Sequence, residues 1–181
     1  MHPIIYDVAV SIDGFIAGPG GDVSGFAHQG PVVEDYRARL AGYSSAIMGR
    51  DTYEFGYRFG LSPGENPYPH METFVCSATI SLPSGADVRQ MRNPAGDEVG
   101  RLRSRSKGPI YAVGGGRFAS ALLEEMLLDQ IVLKRAPILL GGGTPLFAYV
   151  PTGINLRCVD THDYGNGYLL QRFDVEYGHA L

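Results

Sequence analysis

The turn at Gly49 constrains the fold of this chain more than any other feature, because a buried strand there leads directly into a helix. The apolar run at residues 46–48 ends at Gly49, and a helix-compatible sequence begins at Arg50. A helix start offers unpaired backbone N–H groups and the positive end of a dipole, which suit a phosphate. A second turn of this kind follows the apolar run at residues 110–113 and begins at Gly114. Two such turns are what the pyrophosphate of a dinucleotide needs.

Strand-like and helix-like patterns alternate along the chain. Strand patterns lie at residues 4–10, 46–48, 73–77, 109–113 and 130–136, and helix patterns at 31–42, 50–59 and 117–128. Such βαβ alternation indicates a mostly parallel sheet. Asn166 and Gly167 favour a two-residue type I′ turn between two final strands. We therefore predict an α/β fold, with a central mixed, mostly parallel sheet, helices on both faces and an antiparallel C-terminal hairpin, in one domain spanning residues 1–181.

Charge and hydropathy argue against several classes of partner. The formal charge of −4 provides no broad basic surface for nucleic acid. No run approaches the ~20 apolar residues that span a bilayer, and no secretory signal is visible, so we expect a cytoplasmic protein without membrane contacts. Cytoplasmic thiols stay reduced, so we expect Cys76 and Cys158 to be two buried free thiols rather than a disulfide.

The glycine motifs have a purely structural interpretation as well. Gly114 and the next five residues satisfy G-x-G-x-x-A between a strand and a helix. The motif lies past the midpoint, and Asp129 follows too early to bind a ribose, which disfavours an ordinary Rossmann arrangement. Three glycines can equally make a tight turn. Glycines 141–143 precede no helix, so we expect positive φ or close backbone approach there. Arg50 opposes its helix dipole, and that conflict favours a bound anion.

Metal sites and covalent hydrolysis are not indicated. The histidines show no metal-ligand spacing; they are His2, His28, His70, His162 and His179. No serine lies in a G-x-S-x-G elbow, so a hydrolase ranks last among the hypotheses. We expect Asp13 to brace its own turn. Glu34 and Asp35 suit an early helix turn for dipole reasons, and either could instead face a cleft and orient a heterocycle.

Five motifs occur in a recognisable order. They are Val10-Ser-Ile-Asp-Gly-Phe-Ile-Ala17, Ile47-Met-Gly-Arg-Asp-Thr-Tyr-Glu54, Phe74-Val-Cys-Ser77, Ile110-Tyr-Ala-Val-Gly-Gly-Gly116 and Pro137-Ile-Leu-Leu-Gly-Gly-Gly143. Together they resemble the dihydrofolate reductase-like superfamily. The closer resemblance is to the reductase domain of the bacterial bifunctional riboflavin-biosynthesis deaminase-reductase and its free-standing relatives. It covers about residues 4–177, and the H-x-E and P-C-x-x-C motifs of the zinc-deaminase half do not occur.

The resemblance implies an NADPH-dependent reductase that forms a homodimer around a sheet of about eight strands. By position, it places the cofactor against Ala9, Ile16, Gly49, Arg50, Thr52, Ser77, Val113, Gly115, Gly116, Arg117 and Phe118. Ala9 and Ile16 would line the nicotinamide, and Ser77 would contact the adenosine 2′-phosphate. Ala78 stands where relatives often carry arginine, so NADH is not excluded as the cofactor.

The substrate site is inferred from loop position and aromatic content. These place it near Phe26, His28, Tyr36, Tyr53 and Phe55. The acid that binds the pterin in dihydrofolate reductase has no unambiguous counterpart, so folate is not supported as the substrate.

We predict hydride transfer from NADPH to a C=N or C=O group of a small pterin-, pyrimidine- or flavin-precursor-like molecule. Water, Glu34 or Asp35 would supply the proton. The alternative is a non-catalytic nucleotide- or small-ligand-binding module on the same fold.

Overall fold

A central eight-stranded sheet organises the protein in the computed structural model, which describes residues 1–92 and 97–178. His179 lies outside the described residues. The strands are β1 (Ile4–Val10), β2 (Phe15–Ala17), β3 (Ser45–Gly49), β4 (Glu72–Cys76), β5 (Arg89–Met91), β6 (Ile110–Ala112), β7 (Gln130–Arg135), β8 (Thr144–Pro145), β9 (Ile154–Asp163) and β10 (Leu169–Tyr177). The α-helices are α1 (Pro31–Leu40), α2 (Arg50–Phe55), α3 (Asp97–Arg105) and α4 (Gly116–Glu124).

The strand order confirms the predicted mixed, mostly parallel sheet. The order is β5-β4-β3-β6-β1-β7-β10-β9, and every pair from β5 to β7 is parallel. β10 runs antiparallel to both β7 and β9, which forms the predicted C-terminal hairpin. β2 and β8 make a separate antiparallel ribbon. Because the parallel strands end at the same edge, the loops after β1, β3 and β6 meet there.

Alternating side chains of β1 separate two apolar layers, as the period of a strand requires. Ile4 and Tyr6 join the core formed with α3 and α4. Ile5 joins the opposite core, against which α1 packs through Tyr36 and Leu40. Helices therefore cover both faces of the sheet, as predicted.

Several predicted boundaries were wrong for local reasons. The helix expected at residues 50–59 is α-helical only to Phe55 and continues as a 3₁₀ turn over Gly56–Phe59. The helix expected to reach residue 128 ends at Glu124, because Met126 has a φ of 54°. The hairpin turn is not type I′, which needs positive φ at both central residues: of the pair, Gly167 has positive φ and Asn166 does not.

One of the two cysteine predictions was wrong. Cys76 is a buried free thiol, with its sulfur 3.8 Å from Met91 Sδ. Cys158 is also free but exposed, because it lies on β9, the edge strand of the sheet. Its neighbours Leu156 and Val159 are 47% and 45% exposed, so an apolar strand pattern did not mean burial here.

Candidate functional site

A cleft of about 770 Å³ opens where β1, β3 and β6 end. This volume lies within the range of small-molecule sites, which is roughly 300–1,000 Å³. Its walls come from the β1 and β2 region, α1, α2, the turn between β6 and α4, and β8. The lining residues are Val8, Ile16, Ala17, Gly21, Val23, Tyr36, Asp51, Thr52, Phe55, Tyr111, Val113, Gly114, Gly115, Gly116, Arg117, Gly143, Thr144, Pro145 and Ala148.

The two glycine turns meet at one wall of this cleft. Thr52 Oγ1, in the first turn of α2, donates a hydrogen bond to Gly114 O at 2.5 Å. Gly115 has a φ of +109°, and a Cβ there would lie only 2.7 Å from Thr52 Oγ1. Gly116 then opens α4, whose first N–H groups have no partner within the helix. Since Gly115, Gly116 and Arg117 all line the cleft, those N–H groups lie at its wall.

The third glycine run has the structural role predicted for it. Asp13 accepts hydrogen bonds from Ser11 Oγ at 2.6 Å, Leu140 N at 3.1 Å and Gly141 N at 2.7 Å. The Ser11 hydroxyl, followed by these backbone groups, lowers the pKa of Asp13. Gly143 has a φ of +118°, and a side chain there would overlap the backbone of β2. Asp13 therefore braces the loop that forms this side of the cleft.

Six of the eleven residues predicted to bind cofactor line the cleft. They are Ile16, Thr52, Val113, Gly115, Gly116 and Arg117. The remaining five lie outside the lining, namely Ala9, Gly49, Arg50, Ser77 and Phe118. Phe118 is 8% exposed and packs beside Gly49, so it joins the two turns from behind. Ser77 Oγ accepts hydrogen bonds from Thr79 N and Ile80 N at 3.1 Å each, so it stabilises its own turn.

Arg50 already has protein partners. Its Nε lies 2.7 Å from Glu54 Oε1, and its Nη1 donates to Thr79 Oγ1 at 3.2 Å. Glu54 supplies negative charge one turn later, so the conflict between Arg50 and its helix dipole does not by itself favour a bound anion. Phosphate binding by Arg50 stays a prediction.

The predicted substrate residues divide between the cleft and the core. Tyr36 and Phe55 line the cleft. Phe26 is 8% exposed and lies outside the lining. Tyr53 lies outside the lining: it is 1% exposed, donates to Glu65 O at 2.8 Å and accepts from Gly64 N at 2.9 Å, and its role in substrate binding stays a prediction. On α2 the cleft face carries Thr52 and Phe55, three residues apart, and Tyr53 faces the core.

Glu34 and Asp35 do not line the cleft, and their catalytic role stays a prediction. They line a separate shallow cavity beside His162 and Tyr164. Tyr164 Oη donates a hydrogen bond to Asp35 Oδ2 at 2.6 Å. Each residue of a helix is rotated by about 100° from the last, and on α1 it is Tyr36 that faces the cleft.

Sequence reasoning missed a buried ionic cluster behind the cleft. Asp7 is 1% exposed and Lys134 is 8% exposed, and the Lys134 Nζ lies 3.0 Å from Asp7 Oδ1. Arg39 Nε lies 2.8 Å from Asp7 Oδ2, which also accepts a hydrogen bond from Tyr43 Oη at 3.1 Å. Charged residues inside the apolar strand runs at 4–10 and 130–136 were the signal that could have revealed this cluster.

The cluster adjusts the pKa values of its members. Burial alone would raise the pKa of Asp7, but Lys134 and Arg39 hold it below its usual value. Burial lowers the pKa of Lys134, and the charge of Asp7 opposes this shift. The Lys134 Nζ also lies 3.5 Å from the centroid of the Tyr36 ring, whose hydroxyl is 2.9 Å from the Tyr111 hydroxyl.

Two searches of the described residues concern grouped metal ligands and membrane-spanning helices. Within residues 1–92 and 97–178, no three His, Cys, Asp or Glu side chains are grouped as metal ligands would be. The helices in those same ranges are too short or too polar to cross a bilayer.

The fold and its cleft define a dihydrofolate reductase-like α/β protein. The chain belongs to the RibD C-terminal domain family, whose sequence model matches residues 3–170. Two Bacillus subtilis proteins, both described as uncharacterised, are similar over most of their length. YwjB is 26% identical, and the match covers 90% of this chain and 92% of the length of YwjB. YyaP is 27% identical over 91% of this chain and 90% of its own.

Solved structures share the fold. A protein from Shewanella sp. PV-4, named for riboflavin biosynthesis, superposes with a TM-score of 0.81 at 24% identity, over 97% of this chain and 99% of that one. A pyrimidine reductase-like protein from Corynebacterium diphtheriae superposes with a TM-score of 0.70 at 16% identity, and the match covers 97% of this chain and 92% of that one. The deaminase/reductase of Thermotoga maritima gives 0.68 at 14% identity, and the match covers 96% of this chain and 56% of that one.

Proposed function

We propose that this chain is an NADPH-dependent reductase. Its substrate would be a small pterin-, pyrimidine- or flavin-precursor-like molecule, reduced at a C=N or C=O carbon. The observation that carries the proposal is the contact of the two glycine turns, Thr52 Oγ1 to Gly114 O, at the wall of one cleft. Membership of the RibD C-terminal domain family supports it independently.

The residues at this wall fit the phosphates of a dinucleotide. The first turn of α4 offers N–H groups and the positive end of a nine-residue helix, and Arg117 adds an exposed cation. Val8, Ile16 and Val113 form an apolar wall suited to a nicotinamide ring. The cofactor supplies a hydride when bound, and the protein orients the reactants and excludes water.

The choice between NADPH and NADH rests on the segment after β4. We propose that the adenosine 2′-phosphate lies near Ser77, where Ala78 offers no charge. Arg50 reaches this segment through Thr79 and is the cation available to bind the extra phosphate. NADH remains a second candidate for the cofactor.

A fluorescence titration with NADPH and NADH tests the cofactor assignment. We expect saturable binding of NADPH, and a chain that binds neither nucleotide would refute the proposal. NADPH oxidation should then be followed with a panel of dihydropterins, ribosylaminopyrimidines and quinones.

The second candidate function is a non-catalytic nucleotide- or small-ligand-binding module. It is favoured by one observation, namely that Glu34 and Asp35 lie outside the cleft. Cofactor binding without turnover of any panel compound would support it over the reductase.

We also propose that the chain folds as a single domain and forms a homodimer. The exposed apolar side chains Leu156 and Val159 on the edge strand β9 support an interface there. Light scattering after gel filtration distinguishes a dimer from a monomer of 19.5 kDa.

A further inference from the structure

The buried ionic cluster behind the cleft contains more positive than negative charge. Asp7 is the carboxylate shared by Lys134 Nζ at 3.0 Å and Arg39 Nε at 2.8 Å. The next carboxylate, on Asp35, is 3.9 Å from Arg39 Nη1 and half exposed. Two cations thus share one buried carboxylate, and burying charge is costly unless a partner is present. The surplus positive charge would stabilise negative charge that develops in the adjacent cleft.

Tyr36 connects this cluster to the cleft. Its ring lies under the Lys134 ammonium, at 3.5 Å from Nζ to the ring centroid. Its hydroxyl pairs with the Tyr111 hydroxyl at 2.9 Å, and both tyrosines line the cleft. The phenol of Tyr36 is therefore held on one side by a charge and on the other by a hydrogen bond, and it borders the space where a substrate would bind.

We propose that Tyr36 is the proton donor of the reduction and that Lys134 is its positioning residue. This proposal rests on the proposed reductase function. The carbon of the substrate C=N or C=O group receives the hydride, and the π-electron pair moves to the nitrogen or oxygen. Tyr36 transfers its phenol proton to that atom, and water then returns a proton to Tyr36. One NADPH and one proton from solvent are consumed, and NADP⁺ and the reduced substrate are released.

Other proton donors at the cleft are less well placed. The Thr52 hydroxyl proton is used in the hydrogen bond to Gly114 O. Asp51 lines the cleft from the first turn of α2, but its side chain is exposed to solvent. Tyr111 also lines the cleft, but its side chain is only 4% exposed, so it is less open to a substrate than Tyr36.

The surroundings keep the phenol of Tyr36 protonated until it reacts. Burial raises the pKa of Tyr36 above its ordinary value, so the proton is present at neutral pH. The charged and titratable groups packed around it are Asp7, Arg39, Tyr43, Tyr68, Tyr111 and Lys134. The charge of Asp7 also raises the pKa of Tyr36, and the charge of Arg39 lowers it. The Lys134 ammonium, 3.5 Å from the ring centroid, would likewise favour negative charge on the phenol as the proton leaves.

Carbon-13 NMR of tyrosine labelled at Cζ tests the charge coupling without cofactor or turnover. The Tyr36 signal is assigned by its loss in Tyr36→Phe. Because burial lowers the pKa of Lys134 from its ordinary value of 10.5, this lysine is largely neutral at about pH 11, one unit above the ordinary tyrosine pKa of about 10. Lys134→Arg stays charged at that pH, so we expect a larger fraction of Tyr36 to be ionised there in Lys134→Arg than in Lys134→Met. Equal Tyr36 titrations in the two folded variants would overturn the coupling to a charge at position 134.

Single-turnover kinetics with the best acceptor of the panel test the proton transfer. We expect Tyr36→Phe to slow the reduction by about 10²- to 10⁴-fold, the range of general acid catalysis, with NADPH affinity within about twofold of the wild type. Tyr57→Phe is the matched control, because Tyr57 packs against the core residue Tyr53 and lies outside the cleft lining. If the acceptor is a C=N compound, its N-methylated iminium form gives a second control, because it accepts a hydride without needing a proton. The Tyr36→Phe variant should therefore reduce this iminium at the wild-type rate.

The outcomes separate this proposal from the function on which it rests. If none of the panel acceptors supports NADPH oxidation by the wild-type protein, the reductase function is refuted, and this proposal is refuted with it. If the wild type and the Tyr36→Phe variant reduce the acceptor equally fast, the proton-donor role of Tyr36 is overturned and the reductase function stands. Loss of turnover in Asp51→Asn, with Tyr36→Phe unaffected, would assign the proton to Asp51 instead.

Discussion

Replacing Gly116 by alanine tests how tightly the glycine turn at the cleft is closed. An alanine methyl group would overlap the carbonyl oxygen of Pro145, at less than the 3.0 Å that real Cβ contacts keep. It would also lie 3.2 Å from Ala148 N and 3.4 Å from Leu146 O. All three neighbours are backbone atoms, and Ala148 N also donates to Gly116 O at 3.1 Å, so the segment cannot turn aside as a side chain would.

Two opposing effects set the size of the change. Overpacking of this kind costs about 1–3 kcal/mol, whereas replacing glycine by alanine within a helix gains roughly 0.5–1 kcal/mol. Because Gly116 is the first residue of α4, only part of the helix gain applies. We expect Gly116→Ala to lose about 1–2 kcal/mol of unfolding free energy. NADPH affinity should fall as well, since the turn must shift to accept the methyl group.

Urea unfolding followed by circular dichroism measures the effect. Gly100→Ala is the matched control, because Gly100 lies within α3 and a Cβ there has no neighbour within 4 Å. We expect this control to gain about 0.5–1 kcal/mol. A Gly116→Ala protein as stable as the wild type would refute the close packing of the turn against Pro145. Equal losses in both variants would show that the effect is not local to the cleft.

Three further predictions concern the buried ionic cluster, the cations proposed to bind NADPH and the two cysteines. Asp7→Asn should cost about 3–5 kcal/mol at pH 7, because it leaves two buried cations with no full partner. The pKa of Asp7 is lower in the folded protein than the value of about 3.9 expected in the unfolded chain, so ionised Asp7 stabilises the fold above that unfolded pKa. In acid unfolding, the stability difference between the wild type and Asp7→Asn should therefore disappear as the pH falls through the folded-state pKa of Asp7. Arg117→Ala should weaken NADPH binding by about 1.5–3 kcal/mol, and Arg50→Ala should weaken it by less, because Arg50 is paired with Glu54. Equal losses of NADPH affinity in the two variants, measured by titration, would contradict this ranking. Ellman's reagent should label exposed Cys158 in the native protein, and a second thiol only after unfolding.

The fold could be predicted because local patterns agree with the tertiary structure at its centre. Residues 46–48 and 110–113 are apolar runs that end in glycine, and both proved to be buried parallel strands followed by helices. The contact between Thr52 and Gly114 follows from that topology, because neighbouring parallel strands end at the same edge. Asp13 was also predictable, because a turn carboxylate next to a strand has few roles other than bracing.

Side-chain direction could not be predicted as well. A rotation of about 100° decides whether Asp35 or Tyr36 faces the cleft, and nothing in the sequence fixed the orientation of α1. The same limit placed Tyr53 in the substrate site, although it packs in the core. Cys158 lies in an apolar pattern that is exposed, because β9 is an edge strand with no neighbour beyond it in the described chain. The Arg50 and Glu54 pair, by contrast, was visible as an i,i+4 spacing.

The proposed reductase needs a nicotinamide dinucleotide bound in the cleft beside the Thr52 and Gly114 contact. Isothermal titration of NADPH into the wild type and Arg117→Ala measures this binding. We expect one saturable site per chain in the wild type and an affinity at least about 10-fold weaker in the variant, the equivalent of 1.4 kcal/mol. No saturable binding of NADPH or NADH to the wild type, or an unchanged affinity in the variant, would refute the proposed cofactor site.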